Sequence, residues 1–537
     1  MHQITVKITL MGNKKLQVWL PLIFSAVLII GMFLGFGLNP GGSNRSFFST
    51  TKNTSLQEAL DIIRLKYVDK VNTDSLETGA IQQMMSELDP HSVYFPPIEL
   101  KEANEELAGN FDGIGVEFNV FNDTVNVLYV LPGGPSDKAG LLIGDKILKA
   151  NGFSLAEKNL PTDSIKKHIR GESGSTVTLQ IERMGQLQSL NVTRGSIPVP
   201  SVDASYMIDQ STGYIKLNKF TATSYEEFMK ALETLQTQGL KQLVFDIRGN
   251  GGGFMDEAID MADELLDGDK LVVYTEGTNS KKKEYRCKRP GLLEKGKVMV
   301  LVDEFSASAS EVFSGAVQDW CRATIIGRRT FGKGLVQEQY NLSDGSALRL
   351  TIARYYTPVG RSIQRPYDKG KKEYMDELWQ RFSNGEVLYA DSNKHNGKEY
   401  KNTCGKVVYG GGGITPDIFV PIDTATYPVA VNKLLQNGSF NNFVYIYYLK
   451  NRQLIDKLPS TAAYIQHFDQ PTDLWSQFVN YVPATIDLNN LSANQKASLQ
   501  RRLEAYLARF RWRNNGYYQV LNADDAVVKK AMEEIQK

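Results

Sequence analysis

The chain has 537 residues, 42% of them hydrophobic and 23% charged, with a net charge of +1; this is enough for roughly three or four globular domains. The near balance of charge excludes the basic excess of a nucleic-acid binder, so no nucleic-acid partner is expected. Cys287, Cys321 and Cys404 stand far apart, with no CxxC pair and no metal-ligand spacing; they admit one disulfide in an oxidising compartment but not a disulfide scaffold.

At the N-terminus, Lys14 and Lys15 precede "VWLPLIFSAVLIIGMFLGFGL", an uncharged run from Val18 to Leu38. About twenty apolar residues suffice for a bilayer-spanning helix, and a signal-peptide core is usually shorter. Lys7, Lys14 and Lys15 favour a cytoplasmic N-terminus. The expectation is a cytoplasmic tail over 1–15 and a single-pass inner-membrane anchor over 16–38, with the rest of the chain in the periplasm. The alternative is a signal segment, cleaved to release the chain into the periplasm. A composition rich in Gly, Ser, Asn and Thr makes 39–53 a flexible linker. Helical spacing of apolar residues from Leu56 to Leu107 predicts an N-terminal helical segment over 54–107, interrupted at "LDPHSVYFPP". His91, in that break, reads as a turn-packing or capping residue, because no second histidine stands nearby to form a metal pair.

Residues 111–152 read as short strands with glycine turns, a small helix, and a strand ending at Asn151-Gly152. "GIGV" (Gly113, Ile114, Gly115, Val116) and "GPSDKAGLLIGDKILKANG" resemble the carboxylate-binding loop and the signature turn, helix and strand of a PDZ domain, here spanning 108–195. Successive N–H groups of such a glycine loop make a nest for an anion such as a peptide C-terminus, and the following strand offers an edge for pairing. The helix near Asp163 to Ile169 would form the other wall, with His168 lining the groove.

From residue 196 the pattern alternates strands and helices. "QLVFDIRGNGGG" runs from an apolar strand into a glycine turn, and "KVMVLVDEF" leads into the helix "SASASEVFSGAVQDW". This is the grammar of an α/β core with a buried, partly parallel sheet, expected over 196–425. Helical, aromatic-rich segments over 426–537 predict a C-terminal helical domain. The glycine turn lacks both the ending of a P-loop and the dinucleotide-binding spacing, so no nucleotide or other cofactor is expected; glycines after a strand also let N–H groups face an oxyanion.

Ser308 followed by Glu311 is a capping-box pattern, which alone accounts for a serine at a helix start. A nucleophilic serine also needs a base, and no histidine lies between Met207 and Asp391. Lysine can serve if its pKa, normally roughly 10.4, falls by about three units, an effect burial can supply. Lys333, in "TFGKGLVQEQY", lies between two glycines and is flanked by Phe331, Leu335 and Val336. Gln337, four residues on, could hydrogen-bond its amine.

The set "SASASE", "RRTFGKGLVQ", "DIRGNGGG", "RYYTPVGRSIQ" and "GGGGITPD", with the PDZ-like segment, resembles the C-terminal processing (tail-specific) serine peptidases from about residue 60 to 425. The resemblance implies a multidomain α/β protein with a ClpP/crotonase-like protease core. It implies Ser308 as nucleophile, Lys333 as base and Gln337 as the third member. It also implies an oxyanion hole from Ala309 and the glycine turn, at Gly252. Where the family commonly reads Asn-Asn-Pro-Gly-Gly, this chain reads Gly-Asn-Gly-Gly-Gly over Gly249 to Gly253.

The expectation is a membrane-anchored serine endopeptidase that needs neither metal nor cofactor and acts on proteins or peptides with free, apolar C-termini. It leaves room for a homo-oligomer or an adaptor as partner. Two rivals are a non-catalytic PDZ scaffold and a Ser-Lys amidase or esterase acting on small molecules.

Overall fold

The computed structural model describes residues 21, 24–31, 54–156, 158–389, 397–423, 429–436, 438–468, 473–483, 485–488 and 490–537. It divides into two units, Met1–Glu77 and Thr78–Lys537.

Of the apolar run 18–38, only residues 21 and 24–31 are described, and these are helical. The remainder lies outside the described residues, as do the expected tail 1–15 and linker 39–53. Among the described residues no helix is long and apolar enough to cross a membrane. The expected inner-membrane, single-pass location is therefore corrected: the run met the length criterion as a count of apolar residues, and the described helix does not meet it. The first unit otherwise carries α1 (Ser55–Lys66), none of whose residues is buried.

After α2 (Thr73–Ser86), the break at Pro90 yields β1 (Val93–Phe95), and α3 (Pro97–Ala108) follows. Pro97 starts α3, and Gly109 ends it in a left-handed conformation (φ 73°) that a glycine adopts without strain. The PDZ module then opens with β2 (Asn110–Gly113), β3 (Val116–Phe121), β4 (Thr124–Val130) and the short α4 (Pro135–Lys138). It continues through β5 (Lys146–Ala150), β6 (Phe153–Ser154), α5 (Thr162–Ile169), β7 (Thr176–Arg183) and β8 (Gln186–Thr193), and ends in β9 (Gly195–Pro198). Entry and exit strands β2 and β9 pair antiparallel, closing the module on itself. Its main sheet runs β3-β4-β5-β7-β8, which leaves β3 on an edge.

The core follows with β10 (Val202–Met207), β11 (Thr212–Leu217), α6 (Ser224–Thr237), β12 (Gln242–Asp246), α7 (Met255–Asp263), β13 (Leu271–Gly277) and β14 (Ser280–Arg286). Then come β15 (Val298–Val302), α8 (Ala309–Asp319), β16 (Thr324–Gly327), β17 (Leu335–Asn341), β18 (Ala347–Tyr356), α9 (Lys371–Ser383), β19 (Glu399–Lys401), β20 (Val407–Tyr409) and β21 (Ile418–Phe419). One sheet runs β10-β11-β12-β15-β16-β21, parallel except at β10. All five residues of β15 are buried, because the sheet is covered on both faces. Leu243, Phe245, Val298 and Val300 face α6, α7 and α8. Their neighbours Val244, Met299 and Leu301 face the other way, the alternation a strand enforces. A second sheet joins β1, β18, β13 and β14, with β17 also on β18. Cys321 and Cys404 form a disulfide with Cα atoms 6.3 Å apart, tying the end of α8 to the β19–β20 hairpin.

The C-terminal region is helical: α10 (Val429–Gln436), α11 (Ser439–Lys457), α12 (Thr461–Phe468), α13 (Leu474–Tyr481), α14 (Ala493–Asn522) and α15 (Ala526–Gln536). It has an aromatic-rich core of its own. It also reaches both neighbours. Val527, Val528, Ala531 and Ile535 of α15 cover the outer face of the core sheet; burying each of the valines and the isoleucine is worth about 1.5–3 kcal/mol. Arg513, at a kink in α14 (φ 54°), pairs with Glu117 of β3 and lies 3.4 Å from the centre of the Tyr129 ring.

Candidate active site

Ser308 caps α8 with φ 56° and ψ −114°, a backbone conformation that costs a non-glycine residue about 1–3 kcal/mol and persists only where its surroundings enforce it. The neighbouring serines do the enforcing. Ser306 Oγ donates to the Ile247 carbonyl (2.9 Å), and Ser310 Oγ donates to the Asn250 carbonyl (2.8 Å). Asn250, fully buried, also accepts the Ala307 N–H (3.0 Å) on its carbonyl and donates Nδ2 to the Leu217 carbonyl (3.2 Å). The alternating serines thus fasten the helix start to the glycine turn.

Lys333 follows Gly332 (φ 92°), and its Nζ donates to Gln337 Oε1 at 2.9 Å. A β-bulge between Val336 and Gln337 re-aims the glutamine side chain, as bulges do. Burial, joined by the positive charge of Arg349, pushes the Lys333 ammonium down to about 8 against the pull of Asp89 and Glu311. The lysine is therefore close to losing its proton near neutral pH. No hydrogen bond joins Ser308 Oγ to Lys333 Nζ among those of the described residues; such contacts commonly tighten only in the substrate complex.

Two residues that sequence reasoning did not place in the site tie the two loops together. The Glu311 carboxylate, fully buried, accepts the N–H groups of Ser308 (2.9 Å), Gly332 (2.7 Å) and Lys333 (2.9 Å) and the Thr330 hydroxyl (2.5 Å). Burial raises its pKa while these donors pull it back. The capping-box pattern showed only its bond to Ser308. The Tyr355 hydroxyl, buried, shares its one proton between the carbonyls of Lys333 (2.7 Å) and Ser308 (3.1 Å). Its only sequence signal is its place in "RYYTPVG".

The expected oxyanion donors lie beside Ser308. The Ala309 N–H opens the first turn of α8, at the positive end of the helix dipole. Gly252 (φ 100°) packs so closely that a Cβ there would stand 2.8 Å from Ser308 Cβ and 3.0 Å from the Ala309 nitrogen. Its own N–H, however, donates to Asn250 Oδ1 (2.9 Å), so in this conformation it is aimed at Asn250.

In the PDZ loop the carbonyls of Ile114 and Gly115 accept the N–H groups of Ser136 (3.0 Å) and Leu131 (2.9 Å). In a trans peptide the next N–H points opposite to the carbonyl, so the N–H groups of Gly115 and Val116 face away from those partners. For Val116 that direction is the open edge of β3. Gly113 pairs with Gly195, and Ile114 is buried in the module's core. The His168 ring stacks on Phe153 with centroids 3.8 Å apart, and no described hydrogen bond or ring contact joins it to residues 113–116. Among the described residues no group of three or more His, Cys, Asp or Glu side chains is placed to hold a metal ion.

Comparison with known proteins places the chain in a family. The model of peptidase family S41 matches residues 211–369 and that of the PDZ domain residues 113–193. The activating protease CtpB N-terminal domain matches 42–96, and a family of unknown function matches 430–513. A probable CtpA-like serine protease of Staphylococcus epidermidis is 34% identical over 339 residues, covering 63% of this chain and 67% of that protein. One from Staphylococcus aureus is 35% identical over 346 residues, covering 64% and 68%. The solved photosystem II D1 C-terminal processing protease is 26% identical, covering 68% of this chain and 86% of its own, with a TM-score of 0.36. On the family matches and the extent of the curated relatives, the chain belongs to the C-terminal processing, PDZ-containing serine endopeptidases of family S41, whose substrates are proteins or peptides.

Proposed function

We propose that the enzyme cleaves peptide bonds through an acyl-enzyme made by Ser308, with Lys333 as base and Gln337 as its orienting partner. The observation that carries this reading is a buried lysine, lowered to about 8, on a loop that shares Glu311 and Tyr355 with the Ser308 loop. Neutral Lys333 takes the Ser308 hydroxyl proton as Oγ attacks the scissile carbonyl. The resulting oxyanion develops toward the Ala309 N–H, and Gly252 joins it as a second donor when its N–H turns from Asn250 Oδ1. Lys333 then returns the proton to the leaving amine, and water releases the acyl group by the reverse proton path.

Substrate choice is assigned to the PDZ module spanning 108–195. The N–H groups of Gly115 and Val116 receive the terminal carboxylate, and β3 pairs with the tail. An apolar last side chain is favoured by the surrounding Ile114, Val116 and Phe118, which belong to or pack against the module's core. This reading gives the PDZ module a second site, distinct from that of a scaffold.

A serine-directed fluorescent acylating probe tests the chemistry. Labelling should map to Ser308, vanish in Ser308→Ala and Lys333→Ala, and rise with pH through about 8. Undiminished labelling of Lys333→Ala at neutral pH would remove the lysine from the mechanism.

A further inference from the structure

The third member of the site, Gln337, is itself held by a part of the chain 246 residues away: its Nε2 donates to the main-chain carbonyl of His91. That contact settles which way the amide faces. A carbonyl can only accept, so Nε2 must point to His91 and Oε1 to Lys333. With Oε1 accepting from the amine (2.9 Å), the lone pair of neutral Lys333 is directed elsewhere, which a base requires. The reversed amide would place an N–H donor against that lone pair.

The carbonyl is aimed by a tightly bonded turn. Asp89 is 7% exposed, and its Oδ1 accepts the N–H groups of His91 (2.8 Å) and Ser92 (2.9 Å). Its Oδ2 accepts the Ser92 hydroxyl (2.5 Å). Ser92 Oγ in turn accepts the N–H of Thr351 (3.1 Å), and Thr351 is the residue opposite Gln337 in the β17–β18 pair. The following strand β1 then pairs with β18. The His91 ring is anchored from another side, its Nε2 2.9 Å from the Tyr374 hydroxyl on α9.

We infer that the Asp89–Ser92 turn is a positioning element of the active site: Asp89 and Ser92 hold the His91 carbonyl where it selects the productive amide orientation of Gln337. This rests on the reading of Gln337 as the partner of Lys333. The turn acts through Gln337 and touches neither substrate nor the reacting atoms.

The test is a double-mutant cycle on the full chain with a short peptide substrate, run at about pH 9, above the Lys333 transition, so that removing the Asp89 charge does not change the amount of neutral base. Asp89→Ala should lower kcat by about tenfold with KM within about twofold, and Asp89→Asn, which keeps an accepting oxygen, should recover most of the loss. In a Gln337→Ala background, Asp89→Ala should cost less than about twofold more, because its route of action is already gone. The same tenfold loss in both backgrounds, or a normal kcat in Asp89→Ala, overturns the proposal while leaving Gln337 in place. A normal rate in Gln337→Ala alone overturns the role of Gln337 itself. Should Asp89→Ala not fold, Ser92→Ala removes only the hydroxyl link to Thr351. It should show the same dependence on Gln337 with a loss of about threefold, and an equal loss in both backgrounds overturns the proposal in the same way.

Discussion

Around Ser308 the polar groups are spent inward. Ser306, Ser310 and Asn250 bond the helix start to the glycine turn, and Glu311 alone receives four hydrogen bonds. Around Gly115 the reverse holds: two carbonyls bond inward, and the N–H groups of Gly115 and Val116 are turned out. Chemistry requires atoms held against reorganisation, and a closed hydrogen-bond network supplies that. Recognition of a chain end requires unfilled backbone valences, and an edge strand with a glycine turn keeps them.

If that contrast holds, damage to the first region should appear in kcat and damage to the second in KM. The largest effect is expected at the proposed nucleophile and base. Ser308→Ala and Lys333→Ala should each lower kcat by about 10⁴-fold or more, and the double variant should be no worse, because either change disables the same step. Arginine at 333 should not rescue, since it keeps its proton.

A second test separates holding the lysine from using it. The burial that lowers Lys333 to about 8 is a cost to the fold. Between about pH 8 and the ordinary lysine value near 10.4 the unfolded chain binds more protons, so stability should rise with pH over that window; below it the penalty is present in full. Lys333→Met should therefore raise stability by about 1–3 kcal/mol at pH 7 and lose that advantage above about pH 10.5, with activity gone throughout. Thermal melts across pH measure this, and a destabilised Lys333→Met would place the lysine among the structural bonds.

The recognition side should respond more mildly. Amidating the C-terminus of a protein substrate should lower kcat/KM by about tenfold, carried by KM, and Gly115→Val should match it, because φ at this position is +72° and a branched side chain is strained there. A short peptide cleaved without docking should be unaffected, and equal cleavage of free and amidated tails would remove the carboxylate site. The smallest effect is expected outside both regions. Arg513→Ala removes a half-exposed ion pair and a cation–π contact, and should lower stability by only about 1 kcal/mol.

The parts of the site that chain order brings close were readable from sequence. The glycine turn after β12, the serines before α8 and the lysine between two glycines are local patterns with local causes, and the membership of the family they suggested stands. Glu311 was visible as a helix cap, but its bonds to residues 330–333 depend on how two loops fold over one another. Gln337's anchor is a main-chain carbonyl, and backbone groups carry no residue signature. His91 reads from sequence as a turn-packing residue; its ring does pack, on Phe331 and Tyr374, while its carbonyl reaches Gln337. The apolar run near the N-terminus shows the converse case: a count of apolar residues predicts a span, and among the described residues no helix is long and apolar enough to cross a membrane.

The kink at Arg513 has a mechanical reading. The residue braces β3 through Glu117, and the same helix pair continues to α15, which is seated on the back of the protease sheet. If β3 berths a substrate tail as proposed, one continuous helical strap holds that berth to the back of the protease sheet, and the reach from berth to Ser308 belongs to the fold and not to a hinge.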